Sequence, residues 1–352
     1  MAEYTTVDDA GSFYNTTLYT GTGSELAITG VGFQPDWTWL ANLDTIVERV
    51  GTNSVVGATK YLSSNLNTEE TTDAQSLKSF DSDGFTVGTM AAINTSTEDM
   101  VSWNWKAGTT SGLSGGTITP AAYSINTTSG FGAFSYTGTG SAGTIAHGLG
   151  VAPTAMIIKQ RSLSVKDWYC YHQNMPAGSA GYHVTMNTDA AQASGTEWNS
   201  TDPDATVFTL GANSNVNGAS DTYIAYVFAP VQGFSKFGYY IGNAQADGPF
   251  VATGFRPAFV MLKYGTGAAA WNLFDSKRST SGKNVADKMM QPNDGNAQIT
   301  ATDGVKTIDI NANGFKVHST NAEFNGSGYH ILYWAFAEAP FVNSSGIPVN
   351  AR

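Results

Sequence analysis

The sequence has a single cysteine, Cys170, which excludes an intrachain disulfide framework and a zinc site built from neighbouring thiolates. Charge is scarce too: 13% of the 352 residues are Asp, Glu, Lys or Arg, against about 25% in ordinary soluble domains. Basic residues are the rarer sign, with Lys+Arg 17 against Asp+Glu 28 and a net charge of −11. No basic run occurs, so a phosphate-binding footprint for nucleic acid is not expected. Long apolar runs are missing. The most apolar stretch, Ile331 to Ala337, falls far short of about 20 residues and is followed by Glu338, so no membrane span is expected. The opening Met1-Ala2-Glu3-Tyr4-Thr5 does not read as a signal peptide, so a soluble protein made in a cytosol is expected. Helical periodicity is absent over any long stretch; Ala286 to Met290 suggests one turn of helix at most.

What the sequence does have is aromatic and small residues: 41% hydrophobic, 12% aromatic and 39 Gly. That much apolar surface can offset the entropy of folding and excludes disorder, and the length allows two or three domains. An internal repeat is present. An aromatic-x-Gly turn followed by an apolar segment and a Pro occurs as Tyr19-Thr20-Gly21 to Pro35, Tyr136-Thr137-Gly138 to Pro153 and Tyr240-Ile241-Gly242 to Pro257, with Tyr-to-Pro separations of 16, 17 and 17. A Trp follows the second and third prolines at Trp168 and Trp271, and the first copy lacks it. Later in each unit a Phe (Phe85, Phe208, Phe315) precedes a closing aromatic segment: Trp103-Asn104-Trp105, Tyr226-Val227-Phe228 and Trp334-Ala335-Phe336.

Period-two alternation and Gly, Asn, Asp, Ser and Thr punctuation make the unit β. The expected fold is all-β: three tandem antiparallel β-sandwich, jelly-roll-like domains. The closing segment of the first copy reads as half-buried, with Trp103 and Trp105 inward and Ser102 and Asn104 outward. The expected divisions are an arm at 1–11, repeats at 12–107, 130–230 and 231–341, a polar linker at 108–129 with buried anchors such as Ile118 and Tyr123, and a second arm at 342–352.

Candidate chemistry is thin. Gly138-Thr139-Gly140-Ser141-Ala142-Gly143 fits a dinucleotide fingerprint but precedes no helix, so a hairpin turn is expected. Asp81-Ser82-Asp83-Gly84 resembles the start of a calcium loop without the later Glu, and reads as a tight turn. The five His residues (147, 172, 183, 318 and 330) have no local signature of a catalytic base. Asp275, beside Lys277 and Arg278, is expected in a structural ion pair. No catalytic residue, metal or cofactor is assigned. Trp and Tyr can stack on sugars or anchor protein partners; Trp198, in a polar stretch and outside the repeat anchors, is the expected exposed aromatic, with Trp168 and Trp271 as further contact candidates.

Several long strings carry a resemblance: Gly57-Ala58-Thr59-Lys60-Tyr61-Leu62-Ser63-Ser64-Asn65, Trp103 to Gly108, His147 to Pro153, Gly233 to Gly238, Gly254 to Pro257 and Asp275 to Ser279. Over nearly all of residues 12 to 341 the chain resembles a family of uncharacterised virion-associated proteins of tailed bacteriophages infecting marine bacteria and cyanobacteria. The resemblance implies a non-enzymatic virion part located on the particle after assembly in the host cytoplasm. A tail fibre, spike or adhesin is the first expectation, a capsid decoration protein the alternative, and a glycan-binding module or depolymerase the second alternative. Expected partners are other virion proteins, host surface glycan and further copies of the chain, with a trimer as the usual habit of fibres.

Overall fold

A computed structural model describes residues 4–163, 165–279, 284–301 and 306–349. The first third holds β1 (Tyr14–Thr20), β2 (Leu26–Thr29), β3 (Trp37–Asn42), β4 (Val50–Asn53), β5 (Lys60–Ser63), β6 (Thr71–Thr72), β7 (Leu77–Asp81), β8 (Gly84–Val87), the one-turn helix α1 (Ala91–Asn94) and β9 (Asp99–Trp105). After β10 (Ala122–Asn126) the second third runs β11 (Phe131–Thr137), β12 (Gly143–Ala146), β13 (Ala155–Gln160), β14 (Trp168–His172), β15 (Tyr182–Thr185), β16 (Ala193–Ser194), β17 (Val207–Leu210), α2 (Ser214–Asn217) and β18 (Thr222–Phe228). The last third runs β19 (Ser235–Ile241), β20 (Phe250–Ala252), β21 (Phe255–Tyr264), β22 (Asn272–Asp275), β23 (Val285–Ala286), β24 (Lys288–Met289), β25 (Ile299–Thr300), β26 (Thr307–Asn311), β27 (Gly314–His318), α3 (Ala322–Asn325) and β28 (His330–Pro340).

The fold is all-β and antiparallel, with sheets packed face to face as in a sandwich. In each third the first strand pairs with the last, the last with the strand after the repeat proline or, in the final third, the strand that contains it, and that strand with the next. This gives the large sheets β1-β9-β3-β4-β5-β6, β11-β18-β13-β14-β15-β16 and β19-β28-β21-β22. A smaller sheet lies against each: β2-β8-β7, β12-β17 and β20-β27-β26-β23. The glycine-rich 138–143 turn is therefore no hairpin. It carries the chain from the large sheet to the small one, because β12 pairs with β17 instead of β11.

The repeated residues make the same bonds three times. The Tyr19, Tyr136 and Tyr240 hydroxyls donate to the carbonyls of Ile93 (2.7 Å), Val216 (2.6 Å) and Phe324 (2.6 Å), fastening each first strand to its one-turn helix. Burial pushes all three phenols up in pKa. The glycine two residues on is required, since a Cβ at Gly21, Gly138 or Gly242 would lie 2.1, 2.2 or 2.3 Å from a backbone oxygen. A buried Asn closes each turn: Asn94, Asn217 and Asn325 accept from the amides of Thr22, Thr139 and Asn243. Asn217 also donates to the carbonyls of Ser141 (2.7 Å) and Gly211 (2.9 Å). Asn217→Ala strands these buried groups and should cost about 1–3 kcal/mol of unfolding free energy in a urea titration.

Both faces of the central strands of the large sheets are buried, which corrects the half-buried reading of β9: Ser102 and Asn104 are as inaccessible as Trp103 and Trp105. One face packs on the small sheet of the same third, around Phe85 in the first and Phe208 in the second. The other meets the remaining thirds in one continuous aromatic core holding Trp37, Trp105, Phe131, Phe228, Phe259 and Phe336. Two further expectations change. Residues 108–129 are not only a connector, because β10 adds to the edge of the second large sheet; Ile118 is buried, as expected of an anchor there. Residues 285–289 form β23 and β24 instead of a helical turn, since each pairs with another strand. The described part of the first arm is docked: Tyr4 donates to the Gly254 carbonyl at 2.8 Å, and Asp8 accepts from Ser344.

Candidate functional site

Register aligns the thirds residue by residue and shows how they are joined. Trp105, Phe228 and Phe336 hold one equivalent position, opposite Trp37, Ala155 and Phe259. Their rings meet where the three large sheets converge: Trp105 to Phe336 at 5.5 Å, Phe228 to Phe336 at 5.7 Å, and Trp37 against both Trp105 (4.2 Å) and Phe228 (6.1 Å).

Around that centre run two tiers of contacts, each cyclic. In one tier the closing aromatics reach a neighbour's strand. Trp103 donates its indole N–H to Asp275 Oδ2 at 3.0 Å, the Tyr226 hydroxyl accepts from Asn53 at 3.0 Å, and the Trp334 ring packs edge-on to His172 at 4.6 Å. Asn53, His172 and Asp275 are themselves equivalent positions, opposite Trp37, Ala155 and Phe259. The first copy thus contacts the third, the second the first, and the third the second. The other tier repeats this order. Trp168 donates to the carbonyls of Ser63 and Leu66 (both 3.1 Å), Trp271 to the Thr185 carbonyl (3.0 Å), and Arg49 to the Asn296 carbonyl. Arg49 fills the place where the first copy lacks tryptophan. The amides of Arg49, Trp168 and Trp271 each donate at 2.9 Å to the side chain of an equivalent asparagine, Asn65, Asn187 or Asn293.

The three tryptophans expected as contact residues are therefore interior. Trp168 and Trp271 lie in the seams between copies and are buried. Trp198 is also buried, its ring edge-on to Tyr171 at 5.7 Å and its N–H bonded to the Tyr182 carbonyl at 2.9 Å, which corrects the expectation of an exposed aromatic. Its polar neighbours mislead because they too are satisfied inside: Glu197 accepts from His183 (3.1 Å), Asn213 (2.8 Å) and Asn215 (3.2 Å). Burial raises the Glu197 pKa, but His183 together with the backbone and Asn215 hydrogen bonds outweighs it and holds the carboxyl low.

Other polar groups singled out in the sequence are likewise occupied. Asp83 accepts from the amides of Gly30 (3.0 Å) and Gly32 (2.7 Å), a turn clasp. Asp275 and Arg278 form the expected ion pair at 2.5 Å, fully buried, with the guanidinium 5.4 Å from the centroid of the Trp103 ring. His147 bonds to the Asp204 carbonyl and the Leu149 amide. Lys159 and Lys263, at equivalent positions six residues past a proline, are buried, and desolvation lowers each to a pKa of about 8. Lys263 donates to the carbonyls of Asp189, Tyr264 and Ala269 at 3.0–3.1 Å, so it too spans a seam. Arg161 makes a two-pronged pair with Glu70 across the seam between the second and first copies, at 2.7 and 2.9 Å. Sequence reasoning missed Arg49, Arg161 and Glu70 as seam residues; counting 14 residues past Pro35, as from Pro257 to Trp271, lands on Arg49.

A concavity of about 630 Å³ lies on the seam between the second and third copies and is lined by Asn187, Asp189, Asn293, Asp294 and Glu323 among others. Its lining combines amides and carboxylates with Thr188 and the methyls of Ala268, Ala269 and Ala270, and includes no aromatic ring. Among the described residues no group of three or more His, Cys, Asp or Glu side chains is placed to hold a metal ion, and no helix is long and apolar enough to cross a membrane.

A family described as Domain of unknown function (DUF7483) matches residues 9–340. The chain belongs to that family. No curated protein and no solved structure matches it. The match spans all the seam residues named above.

Proposed function

We propose that this DUF7483 chain is a non-enzymatic structural component of a bacteriophage virion, a tail-fibre, spike or adhesin part acting in host attachment. The observation that carries the reading is the cyclic order of the seams. Two tiers of equivalent contacts close three copies about one centre, so a single chain presents three similar outer faces in the manner of a trimer. Such a body matches a partner that has threefold symmetry, and a fibre made of three chains is one. The resemblance of its sequence strings to virion-associated proteins supports the same reading. The low charge density leaves a sparsely charged, net acidic exterior suited to docking.

The cyclic seams also favour capsid decoration, in which the chain would cap a threefold or quasi-threefold position of the head. A glycan-binding or depolymerase role loses its aromatic platform with the burial of Trp168, Trp198 and Trp271, and would rest on the amide and carboxylate cleft alone. Imaging of particles that carry a labelled copy of the chain tests the proposal. Label at the tail is expected; label spread over the head would replace attachment with decoration, and purified particles without label would overturn the virion assignment.

A further inference from the structure

Three equivalent bonds align the loops that bridge the seams. The amides of Val47, Lys166 and Ala269, each two residues before Arg49, Trp168 or Trp271, donate to the carbonyls of Gly295 (3.0 Å), Asn67 (3.1 Å) and Asp189 (2.8 Å) of a neighbouring copy. The one-turn helices align as well, so that Ala92, Asn215 and Glu323, each two residues before the buried Asn, stand at one position. What the loop offers that position differs in every copy.

In the first copy the match is apolar, with Val47 packed against the core cluster that contains Ala92. In the second it is polar. The Lys166 ammonium donates to Ser214 Oγ (3.0 Å) and Asn215 Oδ1 (3.4 Å) on α2, and the next residue, Asp167, accepts from Asn187 Nδ2 at 2.8 Å. In the third copy the loop reads Ala268-Ala269-Ala270, so both charged side chains are gone, while α3 carries a carboxylate, Glu323, in place of the amide. The cleft of about 630 Å³ lies where they are missing. Lys306 bonds Glu323 Oε2 at 2.7 Å; among the described residues neither Glu323 Oε1 nor the Asp189 carboxylate has a hydrogen-bond partner. Asp294 is held by Asn296 within its own turn, and the Lys263 ammonium behind the cleft is taken up by three carbonyls.

We propose that this cleft is a binding site for an aliphatic diamine or polyamine. One ammonium of the ligand takes the place that the Lys166 ammonium has in the second copy and donates to Glu323 Oε1. A carboxylate in place of the Asn215 amide makes that bond charge-assisted on both sides. The methylene chain lies on the methyls of Ala268, Ala269 and Ala270, as the stem of a lysine lies on apolar surface. A second ammonium meets Asp189 or Asp294, which the second and third copies contribute from the two sides of the seam. The lining holds no aromatic ring for a sugar to stack on and no Lys or Arg for an anion. This inference does not depend on the virion reading, and either stands if the other fails.

Isothermal titration calorimetry of the full chain with cadaverine at low ionic strength tests it, with glutarate, a dianion of matching length, as the counter-probe. Saturable binding of one cadaverine per chain is expected, and no binding of glutarate. Glu323→Gln should weaken cadaverine binding about tenfold to a hundredfold, the range for a hydrogen bond to a charged group. Ala269→Lys supplies the ammonium that the second copy has, and should abolish binding without lowering the melting temperature. Glu25→Gln removes the same charge from an exposed pair with Lys78 in the first copy and should leave the affinity unchanged. Heat that does not saturate, equal binding of glutarate, undiminished affinity in Glu323→Gln, an equal loss in Glu25→Gln, or an Ala269→Lys chain that still binds would overturn the proposal.

Discussion

Replacing Asp275 by Ala is expected to lower the unfolding free energy by about 3–5 kcal/mol, the range for breaking a buried ion pair by removing one partner. Asp275 is completely buried, and its two oxygens accept four bonds: from Arg278 Nε (2.5 Å), Trp103 Nε1 (3.0 Å), and the amides of Lys277 (3.1 Å) and Arg278 (2.9 Å). Truncation leaves a guanidinium charge in the seam between the first and third copies with no carboxylate to meet it. Asp247→Ala, which removes the solvent-exposed pair with Lys316, is the matched control and should leave the urea midpoint unchanged. A loss at Asp275 no larger than in that control would mean that water reaches the pair and that this seam is open.

Acid should open the seam between the second and third copies. His172 is fully buried against Trp334, and burial drives its pKa down to about 3, with the Tyr333 carbonyl opposing and the nearby His330 adding to the fall. Its folded pKa lies below the unfolded value of about 6.5, so the unfolded chain binds the proton first. The stabilisation is complete above pH 6.5 and is lost as pH falls from there toward 3. The slope approaches about 1.4 kcal/mol per pH unit, and the loss by pH 4 is about 3 kcal/mol. Burial also lowers His147 and His330, which act in the same direction. Melting temperature followed from pH 7 to pH 4 should therefore fall steadily, and His172→Asn should flatten most of that limb. Asparagine is the residue the first copy has at the equivalent position, Asn53, where it bonds to Tyr226. An unchanged limb in the variant would assign acid sensitivity to other groups.

The β class and the recurring anchors were legible because they are local. Tyr-x-Gly, the proline and the closing aromatics stand at nearly fixed spacing, and each acts over a short range, as a hydroxyl on a helix carbonyl, a glycine against a backbone oxygen or a ring on the last strand. What the aromatics face was not legible. Trp103 and Trp105 alternate with Ser102 and Asn104, and alternation of that kind suits a strand with one wet face. Here the polar side chains are bonded inside the sandwich, as Asn104 is to the Asn15 carbonyl at 3.1 Å, while the tryptophans face other copies. Period two gives a residue's side of the sheet but not what covers that side.

Trp198 misled for a related reason: a polar neighbourhood in sequence became a buried hydrogen-bond cluster around Glu197. The seams escaped because they depend on pairs far apart in the chain, Trp103 with Asp275 and Arg161 with Glu70, and no spacing rule reaches that far. Arg49 was within reach of simple counting from Pro35, yet a search for tryptophan passes over it. It takes the tryptophan's role because a guanidinium, like an indole N–H, can donate to a carbonyl of the neighbouring copy.

Closure of the ring between the first and last copies is the claim on which the rest depends, and a double-mutant cycle on Trp103 and Asp275, 172 residues apart in the chain, tests it most directly. Trp103→Phe removes the indole N–H, Asp275→Asn removes the charge, and the double variant reports their coupling. Contact across the seam predicts a coupling energy of about 1–3 kcal/mol in urea unfolding. Effects that add to within about 0.3 kcal/mol would place the two residues apart and contradict the closed ring.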